Sequence, residues 1–366
     1  MANKENKHTM TDLYQMQSLP LSEKIRMTQN RINGWVDEFG EDGVYVSFSG
    51  GKDSTVLLDI VRKDYPNIEA VFVNTGLEYP SVRQFALSYD NVTELRPTMN
   101  FRDVIIKYGY PVISKQVSHS VGVARRNPDG KVMKNIFNEN KIGKYAMFKY
   151  SYLLHAPFLV SEKCCDEMKK KPMKDISKYK KPIIATMADE SNLRKDSWLH
   201  NGCNAFDMKH PQSRPMSFWT ENDVLEYIYK YKLDISSAYG KVVMRDSAEQ
   251  VDGQATIADM LSDYRNCDFC TTGCHRTGCV FCLFGIAKDK YRFILLAEQE
   301  PKLCDYVMRG GEFNEQGMWQ PSKNGLGYWF VIEWMNIHGN LKIGLPYREK
   351  YLSEYQTEET MKHLLI

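Results

Sequence analysis

Six consecutive residues, Ser49-Gly50-Gly51-Lys52-Asp53-Ser54, have the chemistry of a phosphate cradle. Two glycines let the backbone turn tightly and present its N–H groups. A helix starting there would add the partial positive charge of its N-terminus. Ser49, Ser54 and Thr55 supply hydroxyl donors, and Lys52 a point charge. The spacing is not Gly-x-x-x-x-Gly-Lys-Ser/Thr, so the common P-loop NTPase reading is excluded. The second concentration of chemistry is sulfur. Of nine cysteines, Cys267, Cys270, Cys274, Cys279 and Cys282 stand close together. An odd, clustered set favours metal or catalytic roles over a disulfide framework. Cys274, Cys279 and Cys282 could be three ligands, with a fourth from Cys164 or Cys165. Alternatively, Cys267, Cys270, Cys279 and Cys282 form a compact zinc site. His275 is expected to be a surface histidine and Cys304 a packing residue. Cys203, in Asn-Gly-Cys-Asn, is a candidate reactive thiol.

The elements that must position these groups read as an α/β fold. Val44 to Phe48 is a short β-rich run, followed by the glycine turn and a helical pattern over Lys52 to Arg62. Further strands are expected at 69–74, 92–95 and 182–186, with helices at 81–89 and 101–108. Strands alternating with helices predict a parallel twisted sheet with helices on both faces. A helix over 22–39, with Ser22 as its N-cap, is expected to pack on this domain, preceded by a loosely docked arm over 1–19. ENDVLEYIYKYKL after Thr220 predicts an amphipathic helix. Closing helices are expected at 289–299, 301–308 and 327–336. The expected domains are an N-terminal arm and helix (1–40), a nucleotide-binding α/β domain (41–235) and a Cys-rich, helical C-terminal region (236–366). A small metal-bound element is expected within the last.

Composition bounds the rest. The chain has 366 residues, 26% charged and 43% hydrophobic, ordinary for a globular protein. No apolar run is long enough for a transmembrane helix. The polar N-terminus does not read as a secretory signal, so a cytoplasmic location and no membrane partner are expected. The net charge of +2 hides an asymmetry. Residues 107–181 hold 17 Lys plus Arg against 6 Asp plus Glu, a local excess of 17 − 6 = +11. Such a block suits a polyanion, or is a solvated surface. The stretch 110–181 is read as a basic insertion.

The motif SGGKDS after a strand resembles the PP-loop of the ATP pyrophosphatase, or adenine nucleotide alpha-hydrolase-like, superfamily. Further motifs resemble its phosphoadenosine phosphosulfate (PAPS) reductase branch. They are Asn74-Thr-Gly-Leu-Glu-Tyr-Pro80, Cys164-Cys165 with the following Lys-Pro-Met, Met187-Ala-Asp-Glu-Ser191 with Arg194, the Pro215–Ile228 segment, and Gly278-Cys-Val-Phe-Cys282. The resemblance covers about 44 to 340. It implies nucleotide contacts from Ser47, Ser49, Gly50, Gly51, Lys52, Asp53, Ser54, Thr55, Asn74, Thr75, Gly76, Glu78, Glu190, Ser191 and Arg194. It also implies that Cys164, Cys165, Cys279 and Cys282 hold a [4Fe–4S] cluster, whose usual holding is four thiolates. Cys274 stays a further candidate and Zn²⁺ the alternative metal.

Two departures from the reductase pattern bear on the reaction. The chain ends Glu359-Thr-Met-Lys-His363-Leu-Leu-Ile366, with no cysteine after Cys304 where a reductase would carry its nucleophile. The loop is also intact, as in enzymes that split ATP between the α- and β-phosphates. Both favour an ATP-dependent adenylating sulfur-transfer enzyme with Mg²⁺ entering alongside ATP. Lys52 would stabilise the leaving pyrophosphate and Asp53 would place the metal or the attacking group. A nucleic-acid substrate could lie along 107–181, with a sulfur donor protein or thiol reductant as a further partner. The alternatives are a sulfonucleotide reductase releasing sulfite, with Cys203 or an external thiol as nucleophile, and a non-enzymatic zinc-containing nucleic-acid-binding module.

Overall fold

The computed structural model describes residues 6–140, 146–245, 268–287, 289–354 and 358–365. They form two compact units that interleave along the chain. The first comprises 1–74, 78–96 and 172–278, the second 75–77, 97–171 and 279–366. This division differs from the expected sequence blocks. The N-terminal residues belong to the first unit, and most of the supposed insertion shares a unit with the C-terminal helices.

The first unit holds α1 (Met10–Gln17), α2 (Leu21–Phe39), β1 (Val44–Ser47), α3 (Lys52–Asp64), β2 (Ala70–Val73), α4 (Pro80–Leu87) and β3 (Val92–Leu95). It continues with β4 (Lys181–Ile184), α5 (Asn192–Asn201), β5 (Asn204–Ala205), β6 (Gln212–Ser213) and α6 (Glu221–Tyr231), and with β7 (Val242–Met244) paired antiparallel to β8 (Phe269–Thr271). The main sheet has the order β3-β2-β1-β4-β6-β5. Its pairs are parallel except the last, β6 with β5. The chain runs outward from β1 to β3 and then returns to the other side of β1 as β4. That reversal makes a topological switch point at the carboxyl ends of β1 and β4, where open α/β sheets place ligands.

The central strands β1 and β2 are short, apolar and mostly buried, as parallel strands covered by helices must be. Val44, Val46, Ala70 and Ile183 are fully inaccessible to solvent. Of the arm expected over 1–19, the described residues 6–19 are instead ordered around α1. Thr9 caps the helix through a reciprocal pair with Asp12, and Leu13 is buried. The helix expected at 22–39 begins at Leu21 after Pro20, so Ser22 lies inside its first turn. A buried ion pair joins α2 to α6: Lys24 Nζ reaches both oxygens of Asp223 at 2.7 Å. Asp223 also completes the capping box with Thr220 that starts α6.

In the second unit the stretch read as a basic insertion contains the helix Lys115–Arg126. Ser114 caps it, and Val117, Val121 and Ala124 give it a buried stripe beneath a basic surface. The helices Arg292–Gln299, Pro301–Met308 and Tyr328–Gly339 match expectation closely. Tyr328–Gly339 is buried on nearly every face through its first eight residues, as a core helix must be. Val112–Ile113 pairs in parallel with Leu283–Phe284. Among the described residues no helix is long and apolar enough to cross a membrane.

Candidate functional site

The phosphate loop leaves β1 at the switch point and becomes α3 at Lys52. Gly50 has φ +70°, and a Cβ there would stand 2.8 Å from the Val82 carbonyl oxygen, so the turn needs glycine. The Ser49 and Ser54 hydroxyls pair at 3.0 Å. The Ser49 N–H donates to Ser54 Oγ, and Ser54 and Thr55 donate to the Gly51 carbonyl. The loop is therefore shaped by its own side chains.

Its positive groups are held by residues from far along the chain. The Lys52 N–H donates to Tyr239 Oη at 3.1 Å, and Tyr239 Oη lies 2.5 Å from Thr277 Oγ1. Lys52 Nζ meets Glu221 at 2.8 Å, the His275 carbonyl at 3.1 Å and Asp53 at 3.7 Å. The Lys52 side chain is 2% exposed. Burial alone would pull its ammonium down, but the carboxylates of Asp53 and Glu221 outweigh burial and hold it above the usual lysine value. Burial also lifts the Glu221 carboxyl, against the pull of Lys52.

The other nucleotide candidates of this unit lie at the ends of the neighbouring strands. Ser47 closes β1, between Val71 and Ile184. Asn74 follows β2 and donates its side-chain amide to Glu94. After β4, Glu190 accepts the Met187 N–H at 3.0 Å and pairs with Arg194, while Ser191 caps α5. Glu78 also belongs to this unit, whereas Thr75 and Gly76 belong to the second. There Thr75 Oγ1 accepts the Leu77 N–H, and Gly76 has φ +73°. Glu221, Tyr239 and Thr277 were not legible as loop partners. Each carries an ordinary local role, a helix first turn or a loop position, and only the tertiary fold brings it to Lys52.

The second unit gathers sulfur. Cys164, Cys165, Cys279 and Cys282 line one pocket together with Leu77, Phe101, Pro111, Met168 and Lys169. Cys164 Sγ and Cys165 Sγ stand 4.0 Å apart. Their contact, with Lys115 and Lys169 nearby, pulls the Cys165 thiol down to about 6, against burial. Cys164 is driven up by the same contact and by burial. A pocket with four thiols and otherwise mostly apolar walls fits a group held by four thiolates. Among the described residues no three His, Cys, Asp or Glu side chains stand close enough to hold a single ion as they are.

Cys274 belongs to the first unit, where its thiol donates to the Ala238 carbonyl at 3.0 Å, and it does not line this pocket. Cys267 lies outside the described residues, and the described part of the expected Cys-rich element is divided between the units. His275 is half-buried rather than at the surface. Cys203 is 6% exposed and its thiol is pushed up by burial, an inert environment for a nucleophile. Cys304 is fully buried, as packing requires.

Residues 43–110 match the family model of the phosphoadenosine phosphosulfate reductase domain. Over this segment the chain is similar to that domain. The matched segment spans β1, the phosphate loop, α3, β2, α4 and β3. Among curated proteins, an adenosine 5′-phosphosulfate reductase of Geobacillus thermodenitrificans is 22% identical over 202 residues, 54% of this chain and 66% of the relative. An uncharacterized protein of Methanocaldococcus jannaschii is 34% identical over 82 residues, 21% of this chain and 20% of the relative. The chain thus spans less than two thirds of either relative. A crystal structure of phosphoadenylyl-sulfate reductase from Candida auris, in a phosphate complex, aligns with TM-score 0.33 and 13% identity over 64% of this chain and 92% of that one.

Proposed function

We propose that this chain is a sulfonucleotide-related enzyme that binds an adenine nucleotide at Ser49–Thr55 and performs ATP-dependent adenylation coupled to sulfur transfer in the cytoplasm. The observation that carries this reading is the intact loop at the switch point, with glycine backbone N–H groups and a buried, charged lysine. In this reading the loop binds the β,γ-phosphates. A substrate oxygen attacks the α-phosphate, the bond to the β-phosphate breaks, and pyrophosphate leaves with the electron pair. Loop N–H groups and Lys52 take up the developing charge. Asp53 would hold the Mg²⁺ that neutralises the phosphates, and Glu221 keeps Lys52 in place. Cys164, Cys165, Cys279 and Cys282 would hold a [4Fe–4S] cluster, which when bound supplies electron or sulfur chemistry. The excess charge of 107–181 would suit a nucleic-acid acceptor, although several of its lysines already pair with Asp166, Glu167 and Asp175.

A second reading, sulfonucleotide reduction with sulfite release and an external thiol as nucleophile, is favoured by the domain match and by the activity for which the Geobacillus relative is named. Product analysis on anaerobically loaded protein separates the two. AMP and pyrophosphate from ATP plus acceptor support adenylation. Sulfite from adenylylsulfate or PAPS with a thiol reductant supports the reductase. Release of ADP and phosphate counts against both. In either reading Lys52→Ala should weaken polyphosphate binding by about 10–100-fold, because a charge-assisted bond is worth about 1.5–3 kcal/mol. Unchanged affinity by calorimetry would remove the loop from the site.

A further inference from the structure

Tyr328 opens the core helix of the second unit and is fully buried. Its ring packs against Tyr110 and Phe293, with centroids 5.5 Å and 6.1 Å away. The two tyrosines differ at the hydroxyl. Tyr110 donates to the Leu326 carbonyl at 2.8 Å, whereas the buried Tyr328 hydroxyl has no hydrogen-bond partner among the described residues. An unsatisfied buried hydroxyl costs about 1–3 kcal/mol, so phenylalanine would serve packing better. The groups whose charge acts on this phenol are Cys282, Cys164, Tyr110 and Cys279, three of them lining the thiol pocket. A neutral thiol is a weak acceptor, but a thiolate or a cluster sulfide is a good one.

We propose that the Tyr328 hydroxyl is a positioning residue that donates a hydrogen bond to a sulfur of an iron–sulfur group held by Cys164, Cys165, Cys279 and Cys282, and so makes that group easier to reduce. The inference rests on the four-thiolate reading above. Adding one electron to the cluster adds one negative charge to its sulfurs. A donated hydrogen bond stabilises the more negative state, and no proton changes owner.

The test uses full-length protein reconstituted anaerobically with ferrous iron and sulfide, wild type beside Tyr328→Phe. A redox titration is read by visible absorption and electron paramagnetic resonance. Equal iron and sulfide in both proteins is expected. At a fixed mediator potential the variant's reduced-to-oxidised ratio should fall about tenfold, which for one electron is a shift of ~59 mV to lower potential. The iron-free variant should also unfold at a higher temperature than iron-free wild type, since the orphaned hydroxyl is gone. 3-Fluorotyrosine at position 328, a stronger donor, should move the potential the opposite way, and this arm decides the matter if the Phe variant folds poorly. Loaded proteins with the same potential overturn the proposal alone. Failure of the wild type to bind iron and sulfide overturns the four-thiolate reading and the proposal with it.

Discussion

The phosphate loop and the thiol pocket use opposite strategies. At the loop, the chain answers its own charges: the Lys52 ammonium by Glu221 and Asp53, and the Lys52 N–H by Tyr239. In the other unit, four thiols line one pocket, and the buried Tyr328 hydroxyl goes unanswered among the described residues. A site that satisfies itself is preformed, and a ligand must outcompete internal partners to enter it. A site with an orphaned buried group is completed by what it binds, and its stability should depend on that group.

The sharpest way to break this contrast is Cys279→Ser. Cys279 should be one of four holders, so the variant should lose most of the iron and sulfide that wild type takes up, measured per chain. Its phosphate loop should bind ATP as before. Unchanged iron content would end the assignment of Cys279, and lost ATP binding would show that the contrast is false.

The next effect is on stability alone. Asp223 answers the buried Lys24 from the same helical turn in which Glu221 answers Lys52. Asp223→Ala leaves an uncompensated buried charge and one broken capping box, a loss of about 3–5 kcal/mol. Urea unfolding of the first unit should show it, while iron uptake by the second should survive in mild conditions. A loss below about 1 kcal/mol would mean that Lys24 finds water, and that pairing does not hold this side of the molecule.

The sequence carried one of these regions far better than the other. The β1–loop–α3 unit was legible because it is local: an apolar run, two glycines and a helical stripe lie within about twenty residues. The helices at Phe101–Tyr108 and Pro301–Met308 were read to the residue for the same reason. What escaped was non-local. The partners of Lys52 come from Glu221, Tyr239 and His275, and no local pattern in ENDVLEYIYKY announces that its first glutamate faces a lysine of the loop. The arm over 1–19 was misread because its described helix is anchored by one fully buried residue, Leu13, with Met10 and Met16 only partly buried beside it. Lysine richness hid the stripe of Val117, Val121 and Ala124 inside the supposed insertion. The cysteines were visible as a set, but spacing favoured Cys274 as strongly as its neighbours, and only the fold turns it toward the Ala238 carbonyl.

Thiol chemistry sharpens the contrast within the pocket itself. Cys165 is pulled down to about 6, below the usual thiol value, while burial lifts Cys274 and Cys304 to about 12. In iron-free protein Cys165 should then be largely thiolate at neutral pH. Its alkylation by iodoacetamide should be near its plateau at pH 7 and should fall as pH drops through about 6. Cys274 and Cys304 should react far more slowly throughout. A Cys165 rate still climbing between pH 7 and 9 would show an ordinary thiol and remove the influence of Cys164, Lys115 and Lys169.

The smallest expected effect tests the loop's self-sufficiency. Tyr239→Phe keeps the ring beside Lys52 but removes the hydroxyl that takes the Lys52 N–H and meets Thr277. If a phosphate must displace that hydroxyl, the variant begins with the N–H unclaimed. One neutral hydrogen bond is worth about 0.5–1.5 kcal/mol, so pyrophosphate should bind about 2–10-fold more tightly. Calorimetry with pyrophosphate reads the sign directly. Weaker binding would mean that Tyr239 turns its hydroxyl onto the phosphate and belongs among the ligand's own contacts. In that case the loop would be incomplete without its ligand, as we propose for the thiol pocket.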